Sequence, residues 1–180
     1  MAENSNNESI IKWAVIGTIG LIAINKLFGT LSGLASGILQ KFGLSSDPTV
    51  QKAAEDIAKF FSAQQTKGSA SYWSPEYWKI KSPNTKLIYD QNINAYVYGL
   101  TQQIYNGIGN FYDSPEQIVA AFKAINSKLG VSVVASDFAY MYKQDLLSFL
   151  ISKLDTAEQV KFLNSIIQYT EGLPDKISGQ

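Results

Sequence analysis

The sequence predicts an all-α protein, with an N-terminal transmembrane helix followed by a compact antiparallel helical bundle. Three observations lead there. Between Trp13 and Leu44 the only charged residues are Lys26 and Lys41, and the run from Trp13 to Ile24 has no polar stripe at helical spacing. A helix built from that run is apolar all round and must be buried in protein or lipid. From Pro48 onward, apolar residues recur three and four positions apart in one segment after another, which is the signature of amphipathic helices. No alternating strand pattern of useful length is present.

Composition removes whole classes of function. The chain has 180 residues, with 15 lysines and no arginine, 15 acidic residues, no histidine and no cysteine. Without His or Cys there is no ordinary zinc site, no haem or iron–sulfur ligation, and no Ser-His-Asp or Cys-His catalysis. No cofactor is expected. Balanced charge and the lack of guanidinium groups argue against a nucleic-acid partner.

Residues 1–9 read as a polar, disordered tip, and residues 10–44 as a membrane anchor with a Gly-rich helical extension. Ile10 to Phe28 spans 19 residues. As a helix that is roughly 28 Å, close to the ~30 Å thickness of a bilayer's hydrocarbon core. The anchor residues are Trp13, Ile16, Leu21, Ile24, Lys26 and Phe28. Trp13 and Phe28 lie near the two interfaces, and Lys12 and Lys26 near the two ends, where their stems can snorkel. A buried core helix and a cleaved secretory signal are the competing readings. The signal reading is weakened by Glu3 and Glu8 in the leading segment and by Asn25-Lys26-Leu27 where a cleavage site would follow. Lys26, Lys41 and Lys52 on one side, against Lys12 on the other, favour an internal C-terminal domain. Gly29, Gly33 and Gly37 are four apart and share one helix face, which suits either helix self-association or a flexible connector.

Asp47-Pro48 opens the next helix as cap and first residue, giving a connecting helix over 47–65. Residues 66–89 read as an aromatic loop, Tyr72-Trp73-Ser-Pro75-Glu76-Tyr77-Trp78. Tyr72, Trp73, Tyr77 and Trp78 are partner-binding candidates. Alternatively they clamp the first helix onto the core, with their indole N–H and phenol groups reaching partners. Residues 90–175 form the helical domain. Ile93 to Ile108 makes one apolar stripe, ending at Gly107-Ile108-Gly109. Ser114-Pro115 starts a second helix, with Gly130 fitting a left-handed cap beyond its end. Helices follow over Val131–Tyr142 and Asp145–Leu154, and a last one starts at Asp155-Thr156 and stops at Gly172. Short connections imply antiparallel neighbours.

The succession "SPEQIVAAFKAI", "VVASDFAYMYKQDLLSFLISKL", "DTAEQVKFLNSII" resembles a single annexin-type repeat over roughly residues 100 to 170. Gly107-Ile108-Gly109 stands at the family's Gly-x-Gly turn and Asp145-Leu146-Leu147 at its acidic-Leu-Leu landmark. The resemblance implies a fold more than an activity. Lys153 stands where the family places a calcium-ligating carboxylate, and Asp113 and Asp155 are better explained as helix caps. The whole layout is similar to small membrane-anchored proteins of Bacteroidetes and of phages infecting them, which implies a structural or accessory membrane protein, including a virion component of a lipid-containing phage.

The expected function is therefore non-enzymatic. A single-pass membrane protein would link the bilayer to other structural proteins, such as capsid or envelope components. Most carboxylates stand at helix starts, where the helix dipole accounts for them. Glu76, among the aromatic rings, is the one acid in a saccharide-like setting. Two alternatives stand beside this reading. One is a pore-forming or lysis protein that becomes a homo-oligomer through Gly29, Gly33 and Gly37. The other is a soluble helical module whose N-terminal helix docks in a protein partner.

Overall fold

A computed structural model of the chain describes residue 33 and residues 35–82, 91–109 and 115–175. The anchor residues Trp13, Ile16, Leu21, Ile24, Lys26 and Phe28, together with Gly29, lie outside the described residues. Among those described there are helices and no strands, and no helix is long and apolar enough to cross a membrane. The helices are α1 (residues 35–42), α2 (Pro48–Lys67), α3 (Tyr77–Lys81), α4 (Gln91–Gly109), α5 (Pro115–Lys123), α6 (Lys128–Tyr142), α7 (Leu146–Ser152) and α8 (Ala157–Glu171), with a 3₁₀ turn at Gly68–Ala70.

Capping chemistry sets most of the boundaries. Asp47 accepts from the Thr49 N–H at 2.8 Å and Pro48 follows as the first helical residue of α2. Asp145 accepts from the Ser148 N–H at 2.7 Å to open α7. Thr156 and Gln159 form a reciprocal capping box at the start of α8. Ser127 caps α6, accepting from the Gly130 N–H at 3.1 Å, so this helix starts at Lys128. Gly130 is therefore not a left-handed cap but lies inside the first turn of α6. A Cβ there would come within 2.9 Å of the Ile125 Cγ2, so close approach of the preceding turn is what requires glycine.

α2 packs mainly along α8, α4 lies against α5 and α6, α5 also contacts α8, and α3 rests on α6. One apolar core runs through all of them, from Ile57 and Phe61 on α2 through Ile104, Phe122 and Phe138 to Leu146 and Val160. α2 is thus a core element rather than a connector, with Ala54 and Ile57 fully buried. Residues 66–89, expected as a loop, include the 3₁₀ turn and α3. A five-residue helix is too short to stand alone in water, so tertiary contacts hold it.

The bundle also reaches back into the segment assigned to the anchor's extension. Ala35, Ile38 and Phe42 sit on one face of α1 and are buried in the common core, while Gly37, Leu39, Gln40 and Lys41 are exposed. The Lys41 ammonium caps the chain end of α7 by donating to the Leu154 carbonyl at 3.1 Å, and pairs with Asp155 at 2.8 Å. Beyond the Gly43–Ser46 link, Asp47 pairs with Lys161 of α8 at 2.8 Å. Both pairs are about half exposed or more, so each contributes little stability alone. Their role is positional: Lys41 ties α1 to the link just before α8, and Asp47 ties the start of α2 to the first turns of α8. Phe42→Ala should destabilise the bundle by roughly 3–5 kcal/mol in urea unfolding, the cost of deleting a buried aromatic ring. A loss within about 0.5 kcal/mol, the scale of a surface change, would mean that α1 is not docked.

Candidate functional site

The segment between α2 and α4 concentrates the side chains with most chemical character. It opens with a polar seed: the Ser71 hydroxyl donates to the buried Gln64 amide oxygen of α2 and accepts from the Trp73 N–H at 3.2 Å. Trp73 then inserts between α2 and α5, with ring centroids 6.4 Å from Phe60 and 5.4 Å from Phe122. Further along, one hydroxyl of α6 ties down both ends of the next turn. Ser132 donates to the Ser74 carbonyl at 2.6 Å and accepts from the Trp78 N–H at 3.0 Å. Ser132 is fully buried, so losing it would leave two buried backbone groups unpaired.

Tyr72, Trp73, Tyr77 and Trp78 are 6, 2, 5 and 9% exposed. In this arrangement they are not a surface platform for a sugar or a partner; they fasten the segment to the core. The two phenols reach polar groups, Tyr72 meeting the Thr170 hydroxyl at 3.4 Å and Tyr77 donating to Asp175 at 3.3 Å. Neither buried indole N–H has an acceptor within hydrogen-bond geometry among the described residues, contrary to the expectation for both tryptophans; Trp73 is held by its packing, and Trp78 also lies under the Lys79 ammonium at 5.6 Å. The Lys128 ammonium lies 5.7 Å over the Tyr72 ring and closes that side. Burial pushes the Tyr77 phenol up to about 12, with the Asp175 carboxylate adding to it, and burial raises Tyr72 as well.

Glu76 pairs with Lys79 at 3.0 Å, one turn away on the same short segment. Among the described residues no group of three or more Asp or Glu could hold a metal ion. Gly107 and Gly109, expected at a turn, are the last residues of α4, and residues 110–114 lie outside those described. The Lys153 ammonium stands 5.7 Å over the Phe149 ring, and Asp155 is held below the usual carboxylate range by its bond to Lys41.

Gly33 and Gly37 are both exposed, and a Cβ at either would meet nothing within 4 Å. Gly33 and, on α1, Gly37 thus face away from the described part of the bundle. Sequence reasoning missed one group altogether. Asp137 of α6 has a buried carboxylate oxygen without a partner, and burial raises its carboxyl while Thr101 of α4 pulls the other way. An acid in mid-helix, five residues before α6 ends at Tyr142 and next to the buried Phe138, is the available signal. No family model matches the chain, and no curated protein or solved structure matches it either.

The phenols make the segment sensitive to alkali. A raised folded pKa means the neutral phenol is favoured in the fold. That stability is complete below pH ~10, where the unfolded phenol titrates, and is lost as pH rises through about 12. Tyr77→Phe should therefore flatten the fall in melting temperature between those values, while changing it little at neutral pH. An unchanged alkaline slope would show that Tyr77 is not buried as described.

Proposed function

We propose that the chain is a non-enzymatic, single-pass membrane protein that acts as a structural adaptor. Residues 10–28 cross the bilayer, and the helical bundle binds other structural proteins such as capsid or envelope components, in the manner of a virion membrane protein of a lipid-containing phage. One observation carries this reading. The uncharged run from Trp13 to Asn25 stops only ten residues before α1, and α1 already belongs to a bundle with its own core. A helix apolar on every side needs an apolar surround, and lipid supplies it without calling on the bundle. The burial of the aromatic segment and the use of carboxylates in caps and ion pairs support a packing and binding role over catalysis. Five helices from α4 to α8, with a short α7, support keeping the likeness to one annexin repeat within this proposal.

A second reading is favoured by the open faces of Gly33 and Gly37, on which a pore-forming or lysis protein could oligomerise, Gly29 standing four residues earlier in the sequence.

Co-flotation of the full chain with liposomes, followed by carbonate washing, tests the proposal. The wild type should float and resist extraction. Ile16→Lys combined with Leu21→Lys should abolish flotation, because each lysine near a helix centre costs insertion roughly 2.5–3.5 kcal/mol. A wild type that stays with the soluble fraction would instead favour a module whose N-terminal helix docks in protein. Dye release from the same vesicles, lost on Gly33→Leu, would favour the pore.

A further inference from the structure

Asp137 of α6 is placed where an ionised carboxylate has least support. The residue is half-buried, but its Oδ2 is closed to solvent and has no hydrogen-bond partner among the described residues. Across from it stands Thr101 of α4, fully buried, whose hydroxyl is likewise unpaired. The two are close enough for the hydroxyl to work against the rise that burial imposes on the carboxyl, yet they stand outside good hydrogen-bond geometry. Two orphaned polar atoms on facing helices are an unfinished contact, costly while unmade.

Nothing nearby favours the charged form. α4 carries no Asp, Glu or Lys over Gln91–Gly109. What surrounds the pair is phenolic: burial raises the Tyr142 phenol of α6, and Tyr105 and Tyr98 of α4 and the Asp137 carboxylate add to that rise. Tyr105 and Tyr142 are stacked with centroids 3.7 Å apart, and Tyr105 also stacks on Phe149 of α7. The lysines of α6 and of the other elements packed on it are engaged elsewhere. Lys79 pairs with Glu76, Lys81 lies over the Tyr77 ring and Lys128 over Tyr72. Lys143 donates to the Tyr140 carbonyl, Lys153 lies over Phe149, and Lys161 pairs with Asp47. Of the acids on those elements, Asp145 caps α7, and Glu158 and Glu171 of α8 are exposed.

We infer that Asp137 and Thr101 form a proton-operated latch between α6 and α4. With the carboxyl neutral, its O–H donates to the Thr101 hydroxyl and the two helices close; with the carboxylate ionised, the contact slackens. One hydroxyl is a full partner for a neutral carboxyl but a poor substitute for the water around a carboxylate. α4 depends on this contact because its other hydrogen bonds to the bundle run towards α5, from Tyr96 to the Ala124 carbonyl and from Gln103 to the Gln117 carbonyl. Since burial raises the carboxyl in the fold, the latch contributes fully below pH ~4, where an unfolded aspartate titrates, and is lost as pH rises through the folded value. Mild acid therefore tightens the grip on α4. Asp47 and Asp155, both held low by lysines, act in the opposite sense only below pH ~4. Asp145 shifts in the same direction as Asp137 and serves as the control. The inference does not rest on the membrane reading, because both helices belong to the bundle.

Amide hydrogen exchange of the full chain in mild detergent, corrected for its intrinsic pH dependence, reads the latch. From about pH 7 to about pH 4.5 the protection of α4 amides should rise, by at most about tenfold per pH unit, the limit for one proton. Asp137→Asn, which keeps the shape without the charge, should hold α4 well protected at both ends of that range, whereas Asp145→Asn should leave the pH response in place. In the wild type, carbon-13 NMR should show the Asp137 carboxyl titrating above the ordinary aspartate value of ~3.9, with the Thr101 signals moving at the same midpoint. Protection of α4 that does not change with pH would overturn the inference, as would a response that survives Asp137→Asn or vanishes only in Asp145→Asn. Should Asp137→Asn fail to fold, an Asp137 carboxyl that titrates at or below the ordinary value, or a Thr101 that ignores it, decides against the latch.

Discussion

A tryptophan ring wedged between phenylalanines from two different helices joins the parts of this bundle that the chain order would otherwise leave apart. Trp73 touches Phe60 of α2 and Phe122 of α5. α2 and α8 make one packed pair, and α4, α5 and α6 make another group that meets it chiefly through α5 and α8. Trp73 is placed where these meet, and its backbone is anchored from both sides, by Ser71 with Gln64 before it and by Ser132 after it. Its own indole N–H has no acceptor within hydrogen-bond geometry among the described residues. The site therefore accepts an unpaired polar group in exchange for a large buried area, and it is the surrounding main-chain bonds that keep the ring in register.

With the aromatic segment committed to the interior, little of its chemistry is left for a ligand, and what the bundle offers outward is different in kind. Among the described residues its exposed features include the uncharged face of α4, Gly37 on α1, the apolar side chains of Leu44, Ile80 and Tyr140, and carboxylates occupied as caps or ion pairs. The Lys41 and Lys161 pairs give that surface a fixed relation to the start of the bundle. They hold α1 and the cap of α2 against the same end of α8, so a tether entering through α1 would transmit position to the whole domain.

Much of this architecture can be read from the chain where one side chain at one spacing has a single cheap use. Asp47 before Pro48, Asp145 before two leucines, and Thr156 three residues before Gln159 are caps whether or not the rest of the fold is known. The misreadings have equally definite causes. Gly130 reads as a terminator because glycine's usual role there is a positive φ, whereas in the fold it is the near contact with Ile125 that disfavours a side chain. α3 was hidden because five residues carry no period. α1 was absorbed into the apolar run before it, although Ala35, Ile38 and Phe42 already show the three-then-four spacing of a buried face. The four aromatics could not be assigned to core or surface from composition, since both uses select the same residues. The neutrality of α4 was visible in the sequence, but its exposure was not, because tyrosine suits a buried stripe as well as an interface.

The three tryptophans allow the central claim to be tested in one spectrum. Trp13 belongs to the proposed tether, and Trp73 and Trp78 to the interior of the bundle. In vesicles whose acyl chains carry bromine, a contact quencher, the account predicts that part of the emission is quenched and that Trp13→Phe removes the quenchable part, leaving Trp73 and Trp78 unaffected. Emission insensitive to bromine in the wild type, or quenching that persists in Trp13→Phe, would contradict it.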